Sequence, residues 1–151
     1  MTLHHGTFTI ERNYPATPER VFHAWSDPAS KQSWFACHDD WTSTGYTLDF
    51  RPGGHERVDS TPSESDVAHR YFATYYDIVP NERIVYAYEM YLGDTRISVS
   101  VATVEFEAAG DDTKFTFTEH VVMLDEYDDL DGREEGTRAG LENLARFVSA
   151  S

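Results

Sequence analysis

The feature of this sequence that most constrains its fold is a series of strand-like segments joined by very short turns. Between Tyr46 and Val122 the turns are marked by Pro80-Asn81, Gly93-Asp94 and Gly110-Asp111-Asp112. A parallel pair of strands needs a crossover of about a dozen residues or more, which these turns do not supply. The sequence therefore predicts an antiparallel meander.

Six strands are predicted from alternating polar and apolar residues. They cover residues 7–14, 47–50, 68–79, 83–91, 97–108 and 113–122, and the polar stretch at 61–66 is predicted to be a loop. Two short helices are predicted after the first strand, because Thr17 precedes Pro18 and Asp27 precedes Pro28. An N-cap residue followed by proline at the first helical position is a start signal.

A long helix is predicted at the end of the chain, where apolar residues recur at spacings of three, four and seven. Leu141, Leu144 and Val148 belong to this apolar stripe. The expected fold is α+β, a single domain over residues 1–151 with an antiparallel sheet of six or seven strands. Only the last helix is long enough to cover one sheet face. Because one helix cannot fill the concave side of a twisted sheet, we expect a cavity beneath it.

Composition excludes several classes of partner. The formal net charge is −15, from 27 acidic and 12 basic residues, and such a surface repels nucleic-acid phosphates and anionic lipid headgroups. No segment approaches transmembrane length, so a cytoplasmic location is expected. The sequence leaves a homodimer open.

No cofactor or metal is expected. The sequence contains no nucleotide-binding glycine loop, zinc motif or nucleophile elbow, and the acidic stretch at 125–131 lacks the spacing of a calcium loop. Cys37 and His38 would need distant partners to form a metal or nucleophilic site.

Glu119 is the most informative polar residue of the sequence. It shares its strand face with Phe115, Phe117 and Val121, so it is expected to point into the cavity. A buried carboxylate must be paired, hydrogen-bonded or protonated. Glu119 is therefore a candidate general base or ligand anchor, or alternatively half of an ion pair with an arginine.

Arg12 lies in register with Phe8, Ile10 and Tyr14 and is a candidate partner for Glu119 or for an anionic ligand. An exposed arginine whose stem covers apolar neighbours is the alternative.

The remaining candidate ligand-binding residues lie on the predicted strands and the last helix. Tyrosine hydroxyls in an apolar cavity orient a ligand by hydrogen bonds, although core packing explains such residues equally well. Gly136 and Gly140, four residues apart, leave one helix side bare, either for a ligand or for close approach to the sheet. The candidates are Tyr76, Tyr86, Tyr88, Phe117, Gly140 and Leu144.

Four segments carry a resemblance to a known family. They are ERNYPATPERVFHAWSDP at 11–28, DFRPGGHE at 49–56, RYFATYYDIVPNERIVYAYEM at 70–90 and REEGT at 133–137. The chain resembles the activator of heat-shock-protein-90 ATPase homologue group of the START-like superfamily, which includes polyketide cyclases and Bet v 1-like proteins. The resemblance implies a helix-grip fold, in which the sheet grips the long C-terminal helix over a ligand cavity.

Three functions follow as hypotheses. The first is binding of a small hydrophobic or amphipathic molecule in the cavity. The second is catalysis on a polyketide-like substrate by a cyclase, dehydratase or hydrolase, with Glu119 as the base. The third, implied by the family name, is a co-chaperone-like interaction domain. We discount it because the proteins that gave the name carry an additional domain for which this chain has no room.

Overall fold

The computed structural model of the chain describes residues 2–36, 41–62 and 67–149. Within these residues the chain forms seven strands and three helices, and the second helix continues into a π-helical turn at Gln32–Ala36. In chain order the elements are β1 Leu3–Tyr14, α1 Pro18–Ser26, α2 Pro28–Lys31, β2 Trp41–Leu48, β3 His55–Pro62, β4 His69–Val79, β5 Arg83–Leu92, β6 Thr95–Ala109, β7 Asp112–Leu124 and α3 Leu130–Ser149.

The strands form one antiparallel sheet in the order β1-β7-β6-β5-β4-β3-β2. The predicted α+β fold, with an antiparallel sheet, two short helices after the first strand and a long C-terminal helix, is confirmed. Among the described residues, no helix combines the length and the apolar character that crossing a bilayer requires.

Strand β3 is the element that the sequence did not predict. Its inward-facing residues include Glu56 and Ser60 beside Val58, and all three are buried. Because two of these three inward-facing residues are polar, the segment lacks the alternation of polar and apolar residues that is typical of a half-buried strand. The loop predicted at 61–66 is wrong at Thr61 and Pro62, which lie in β3, and its residues 63–66 lie outside the described part of the chain.

Local signals determine where the first two helices begin. The Thr17 side chain accepts a hydrogen bond from the backbone amide of Arg20, and the Asp27 carboxylate accepts one from that of Ser30. Both N-caps are the ones that the sequence predicts. The hydrogen bonds from Ser30 hold the pKa of Asp27 below its usual value, because they stabilise the ionised carboxylate.

Helix α3 is fastened to the rest of the fold by polar contacts as well as by its apolar stripe. The Tyr14 hydroxyl on β1 donates to the carbonyl oxygen of Leu141 at 3.1 Å. Near the end of the helix, Arg20 on α1 donates from Nε to the carbonyl oxygen of Val148 at 3.2 Å. These contacts fix the helix over the concave face of the sheet.

A fully buried ion pair joins α2 to β3. Lys31 Nζ lies 3.0 Å from both carboxylate oxygens of Glu56, and neither side chain is exposed to solvent. The hydroxyls of Tyr46 and Tyr75 donate to the same carboxylate at 2.7 and 2.8 Å. Burial lowers the pKa of Lys31, and the Glu56 carboxylate offsets part of this shift by stabilising the ammonium form.

The same ammonium group organises the aromatic residues around α2. Lys31 Nζ lies 4.6 Å from the ring centre of Trp25 and 4.2 Å from that of Phe35. Contacts of this kind between a cation and an aromatic face are favourable when both are desolvated. The ion pair therefore holds the π-helical turn, with Trp34 and Phe35, against the sheet.

We expect Lys31→Met to lower the free energy of unfolding by about 3–5 kcal/mol, because it leaves the Glu56 carboxylate buried without a cation. Denaturant-induced unfolding measures the loss. The matched control is Arg83→Met, which removes the exposed ion pair between Arg83 and Asp77 and should cost less than about 1 kcal/mol. Equal losses in the two variants would contradict a structural role for the buried pair.

Candidate functional site

A cavity of about 530 Å³ lies between the sheet and α3. Its wall is mainly apolar, and a third of the described lining residues are Trp, Tyr or Phe. Tyr71 packs against Tyr88 with ring centres 4.8 Å apart, and Phe35 packs against Tyr71 at 5.1 Å. Trp25 and Trp34 from the first two helices complete this part of the wall. Aromatic walls of this kind are typical of sites for small organic molecules.

The charged groups of the cavity wall balance one another. Among the described residues, the wall contains two carboxylates, Glu119 and Asp129, and two guanidinium groups, Arg70 and Arg133. Glu119 is fully buried and the Arg133 side chain is 13% exposed, whereas Asp129 and Arg70 are open to solvent. Burial lowers the pKa of His69, which also lines the cavity, and so favours its neutral form. The wall therefore has no net formal charge at neutral pH, although the chain as a whole is strongly acidic.

The two oxygens of the Glu119 carboxylate have different surroundings. Oε2 accepts hydrogen bonds from the Tyr88 hydroxyl at 2.7 Å and from Ser100 Oγ at 2.9 Å, and Arg133 Nη1 lies 3.5 Å away. Oε1 is buried and has no hydrogen-bond partner within the described part of the chain. A buried acceptor without a partner is costly, so such an atom in a cavity wall is a candidate for ligand contact.

Strand register brings these groups together. Tyr88 on β5 pairs with Ser100 on β6, and Ser100 pairs with Val121 on β7. Glu119 is two residues from Val121 and therefore on the same sheet face, diagonally across from Ser100. Arg133 reaches this row from the second turn of α3, and its Nη2 also donates to Ser98 Oγ at 2.7 Å.

The position of Arg12 differs from the prediction. Arg12 Nε donates to Glu142 Oε1 on α3 at 3.2 Å. Arg12 is not part of the cavity wall. Glu119 pairs with Phe8 on β1, which is four residues, or about 13 Å of strand, from Arg12. Of the alternatives that the sequence left open for Arg12, pairing with Glu119 is therefore wrong, and Glu119 is paired with Arg133 instead.

Three of the predicted aromatic residues line the cavity and one does not. Tyr86, Tyr88 and Phe117 belong to the wall, whereas Tyr76 is 64% exposed. A β-bulge at Tyr76 interrupts the pairing of β4 with β5 between Tyr75 and Asp77. Before this bulge the inner face of β4 carries Tyr71, Ala73 and Tyr75, all buried, so Tyr76 lies on the opposite face. The prediction for Tyr76 is wrong because both faces of the strand carry aromatic residues, and the sequence does not show which face points inward.

Two of the three glycines of α3 face open space. Gly136 and Gly140 line the cavity, and a Cβ atom added to either would meet no atom within 4 Å. Of the two interpretations offered by the sequence, this geometry supports room for a ligand over close approach to the sheet. Leu144 is fully buried in the core one turn later but is not part of the cavity wall.

Sequence reasoning missed the contribution of Arg133 to the site. Its position near the start of a helix suggested only electrostatic capping, because nothing local indicates which strand it reaches. Ser98 and Ser100 were missed as well, although they share one strand face with Ala102 and Val104. Two serines on the apolar face of a strand are a signal for a buried polar group opposite them.

The other polar candidates lie apart from this site. His120 is exposed on the outer face of the sheet and hydrogen-bonds to Thr7 Oγ1 at 3.1 Å. Cys37 and His38 lie outside the described residues. Within the described ranges, no group of three or more His, Cys, Asp or Glu side chains is arranged to hold a metal ion.

Residues 15–149 match the family described as Activator of Hsp90 ATPase homolog 1-like protein. The chain belongs to this family. No curated protein is significantly similar to it.

Several solved structures are similar to the chain over nearly its whole length. An uncharacterized protein from Rhizobium leguminosarum is 51% identical, with a TM-score of 0.95 over 99% of this chain and 98% of its own. The Mll3558 protein from Rhizobium loti is 41% identical, with a TM-score of 0.90 over 97% and 99% of the two chains. An AHSA1-like protein from Aeromonas hydrophila is 20% identical, with a TM-score of 0.68 over 96% and 93%, and shows likeness of fold alone.

In this family member, the helix glycines should limit stability. We expect Gly136→Ala and Gly140→Ala each to raise the free energy of unfolding by up to about 1 kcal/mol, because alanine is the better helix former and the added methyl group meets open space. Gly110→Ala is the control. A Cβ there also meets nothing, but its φ of +65° should make alanine destabilising by about 1–2 kcal/mol. Destabilisation by the helix substitutions would show that α3 lies closer to the sheet than described.

A second prediction concerns alkaline pH. Burial raises the pKa of six tyrosines above the ordinary value of 10.0: Tyr14, Tyr46, Tyr71, Tyr75, Tyr86 and Tyr88. Since the folded chain holds these protons more tightly than the unfolded chain, their contribution to stability is fully present below pH 10.0 and is lost above it. Above pH 10.0, each phenol should add about 1.4 kcal/mol per pH unit to the fall in the free energy of unfolding.

Near-ultraviolet tyrosinate absorbance, recorded together with circular dichroism, checks this. The six phenols should ionise with the loss of folded structure. Ionisation of all tyrosines near pH 10 with unchanged circular dichroism would contradict their burial.

Proposed function

We propose that this protein binds a small hydrophobic or amphipathic molecule in the cavity between the sheet and α3. The observation that carries the proposal is a cavity of about 530 Å³ with a mainly apolar, aromatic-rich wall. One buried carboxylate oxygen in this wall receives no hydrogen bond from the described residues. Cavities of roughly 300–1,000 Å³ with a few placed polar groups are typical of small-molecule sites.

The helix that covers the cavity supports the same function. Leucine or alanine at Gly136 and Gly140 would favour the helix and narrow the cavity, yet both positions carry no side chain. Tyr88 adds a hydroxyl that is already oriented by Glu119, so the polar part of the wall is fixed before a ligand arrives. Preorganisation of this kind reduces the entropic cost of binding.

A matched pair of variants tests the proposal. Gly140→Phe places a ring in the cavity, whereas Ala139→Phe adds the same side chain at the neighbouring exposed position. The assay is a thermal-shift screen against polyketides, flavonoids, fatty acids and steroids. A ligand at about 100 times its dissociation constant should stabilise the wild type by about 2.7 kcal/mol, a melting shift of roughly 5 to 10 °C.

We expect the shift to be retained in Ala139→Phe and lost in Gly140→Phe. A shift of equal size in both variants would place the ligand outside the cavity. No shift with any compound, in protein that is folded by circular dichroism, would count against small-molecule binding as the function.

Catalysis is a second candidate function, and the free Glu119 Oε1 is the observation that favours it. A carboxylate oxygen that receives no hydrogen bond from the described residues can accept a proton from a substrate held against the cavity wall. The reaction class would be cyclisation, dehydration or hydrolysis. Mass spectrometry of each stabilising compound after incubation separates the two functions. A new product that fails to form with Glu119→Gln would indicate an enzyme, and unchanged compounds would indicate a binding protein.

A further inference from the structure

Two buried carboxylates of this fold differ in how completely they are satisfied. Both oxygens of Glu56 accept hydrogen bonds, from Lys31 and from the two tyrosines. At Glu119 all three protein donors converge on Oε2, and Oε1 receives none from the described residues. The fold can thus saturate a buried carboxylate, and at the cavity it leaves one acceptor oxygen to be satisfied by another molecule.

Charge balance determines what kind of molecule suits this oxygen. Arg133 already neutralises Glu119, so a cationic ligand would add an uncompensated positive charge to the buried end of the cavity. An anionic ligand would be repelled by the carboxylate. Arg133 is also committed to Tyr88, Ser98 and Ser100, which restricts its use as an anion receptor. A neutral molecule with a hydrogen-bond donor meets both conditions.

The shape and chemistry of the wall restrict the rest of the molecule. The rings of Tyr71 and Tyr88 are tilted by 33° at 4.8 Å, and Phe117 lines the cavity beside Glu119 on the same strand face. Such walls favour flat aromatic skeletons, which stack or make edge contacts.

We propose that the cavity selects neutral aromatic alcohols, phenols above all, whose hydroxyl donates to Glu119 Oε1. This inference rests on the proposed binding function and adds the class of ligand to it. Tyr88, Ser100 and Arg133 act as positioning residues, because they hold the carboxylate so that the same oxygen always remains available.

Isothermal titration calorimetry with three compounds of one skeleton tests the proposal on the wild-type protein. 2-Naphthol offers a neutral donor, 2-acetylnaphthalene offers only an acceptor, and 2-naphthoate carries a negative charge. A hydrogen bond to a charged acceptor should make 2-naphthol bind about 10- to 100-fold more tightly than 2-acetylnaphthalene. We expect 2-naphthoate to bind more weakly than 2-naphthol.

The variant Glu119→Gln provides a second, independent readout. Its amide oxygen should take the Oε2 position, where three donors converge, and its NH₂ group should then occupy the Oε1 position. An acceptor in the wall is thereby replaced by a donor. The affinity for 2-acetylnaphthalene relative to that for 2-naphthol should therefore rise by about tenfold or more. Glu142→Gln makes the same chemical change on the solvent side of α3 and should leave the ratio unchanged.

The outcomes distinguish failure of the proposed ligand class from failure of cavity binding itself. Equal affinity of the wild type for 2-naphthol and 2-acetylnaphthalene, or tightest binding of 2-naphthoate, would overturn the proposed preference for a neutral hydrogen-bond donor. Either result would leave binding in the cavity intact. An unchanged ratio in folded Glu119→Gln would likewise overturn it. If none of the three compounds binds to the wild type, the proposed ligand class fails, whereas the proposed binding function fails only if the thermal-shift screen also finds no ligand. Because the wild-type comparison stands alone, the test does not depend on whether Glu119→Gln folds.

Discussion

The arrangement of the cavity depends on the buried ion pair between Lys31 and Glu56. A lysine ammonium group is expensive to remove from water, and here the cost is offset by two carboxylate contacts and by the faces of aromatic rings. The pair joins a helix of only four residues to strand β3. Such a short helix has little stability of its own, so tertiary contacts must hold Trp34 and Phe35 in the cavity wall.

Glu56 and Glu119 are equally buried, and yet the two carboxylates differ in what they contribute to the structure. A saturated carboxylate fixes elements in place and has no acceptor left for a ligand. A carboxylate with one satisfied oxygen is fixed in place too, but it retains an acceptor for which the described residues supply no donor. The number of donors around each oxygen, more than the burial of the residue, distinguishes a structural carboxylate from a candidate functional one.

The sequence predicted the parts of this fold that depend on local chemistry. Proline after Thr17 and after Asp27 located two helix starts correctly, and short turns predicted the antiparallel order. Register along one regular strand placed Glu119 on the inner face. The prediction for Tyr76 failed because both faces of β4 carry aromatic residues, and only the packed fold shows that the face of Tyr71 and Tyr75 is the buried one. Strand β3 was missed because Glu56 looks like a solvent-facing residue until Lys31 is known to lie against it.

The sequence alone also does not show which arginine forms the ion pair with Glu119. Arg12 shares a strand face with apolar residues and looked suitable, whereas Arg133 is separated from any strand in the sequence by an acidic stretch. Only the docking of α3 determines which of them reaches the carboxylate. Long-range pairings of this kind depend on the assembled fold, and no pattern within a window of a few residues encodes them.

The position of Arg133 has a thermodynamic consequence. This one side chain contacts residues on β5, β6 and β7 while its backbone belongs to the N-terminal half of α3. Docking of that half of the helix and the electrostatic state of the cavity are therefore linked equilibria. Any molecule that engages the Glu119 carboxylate changes the free energy with which the helix is held to the sheet. By reciprocity, any event that loosens the helix changes the affinity of the cavity by the same factor.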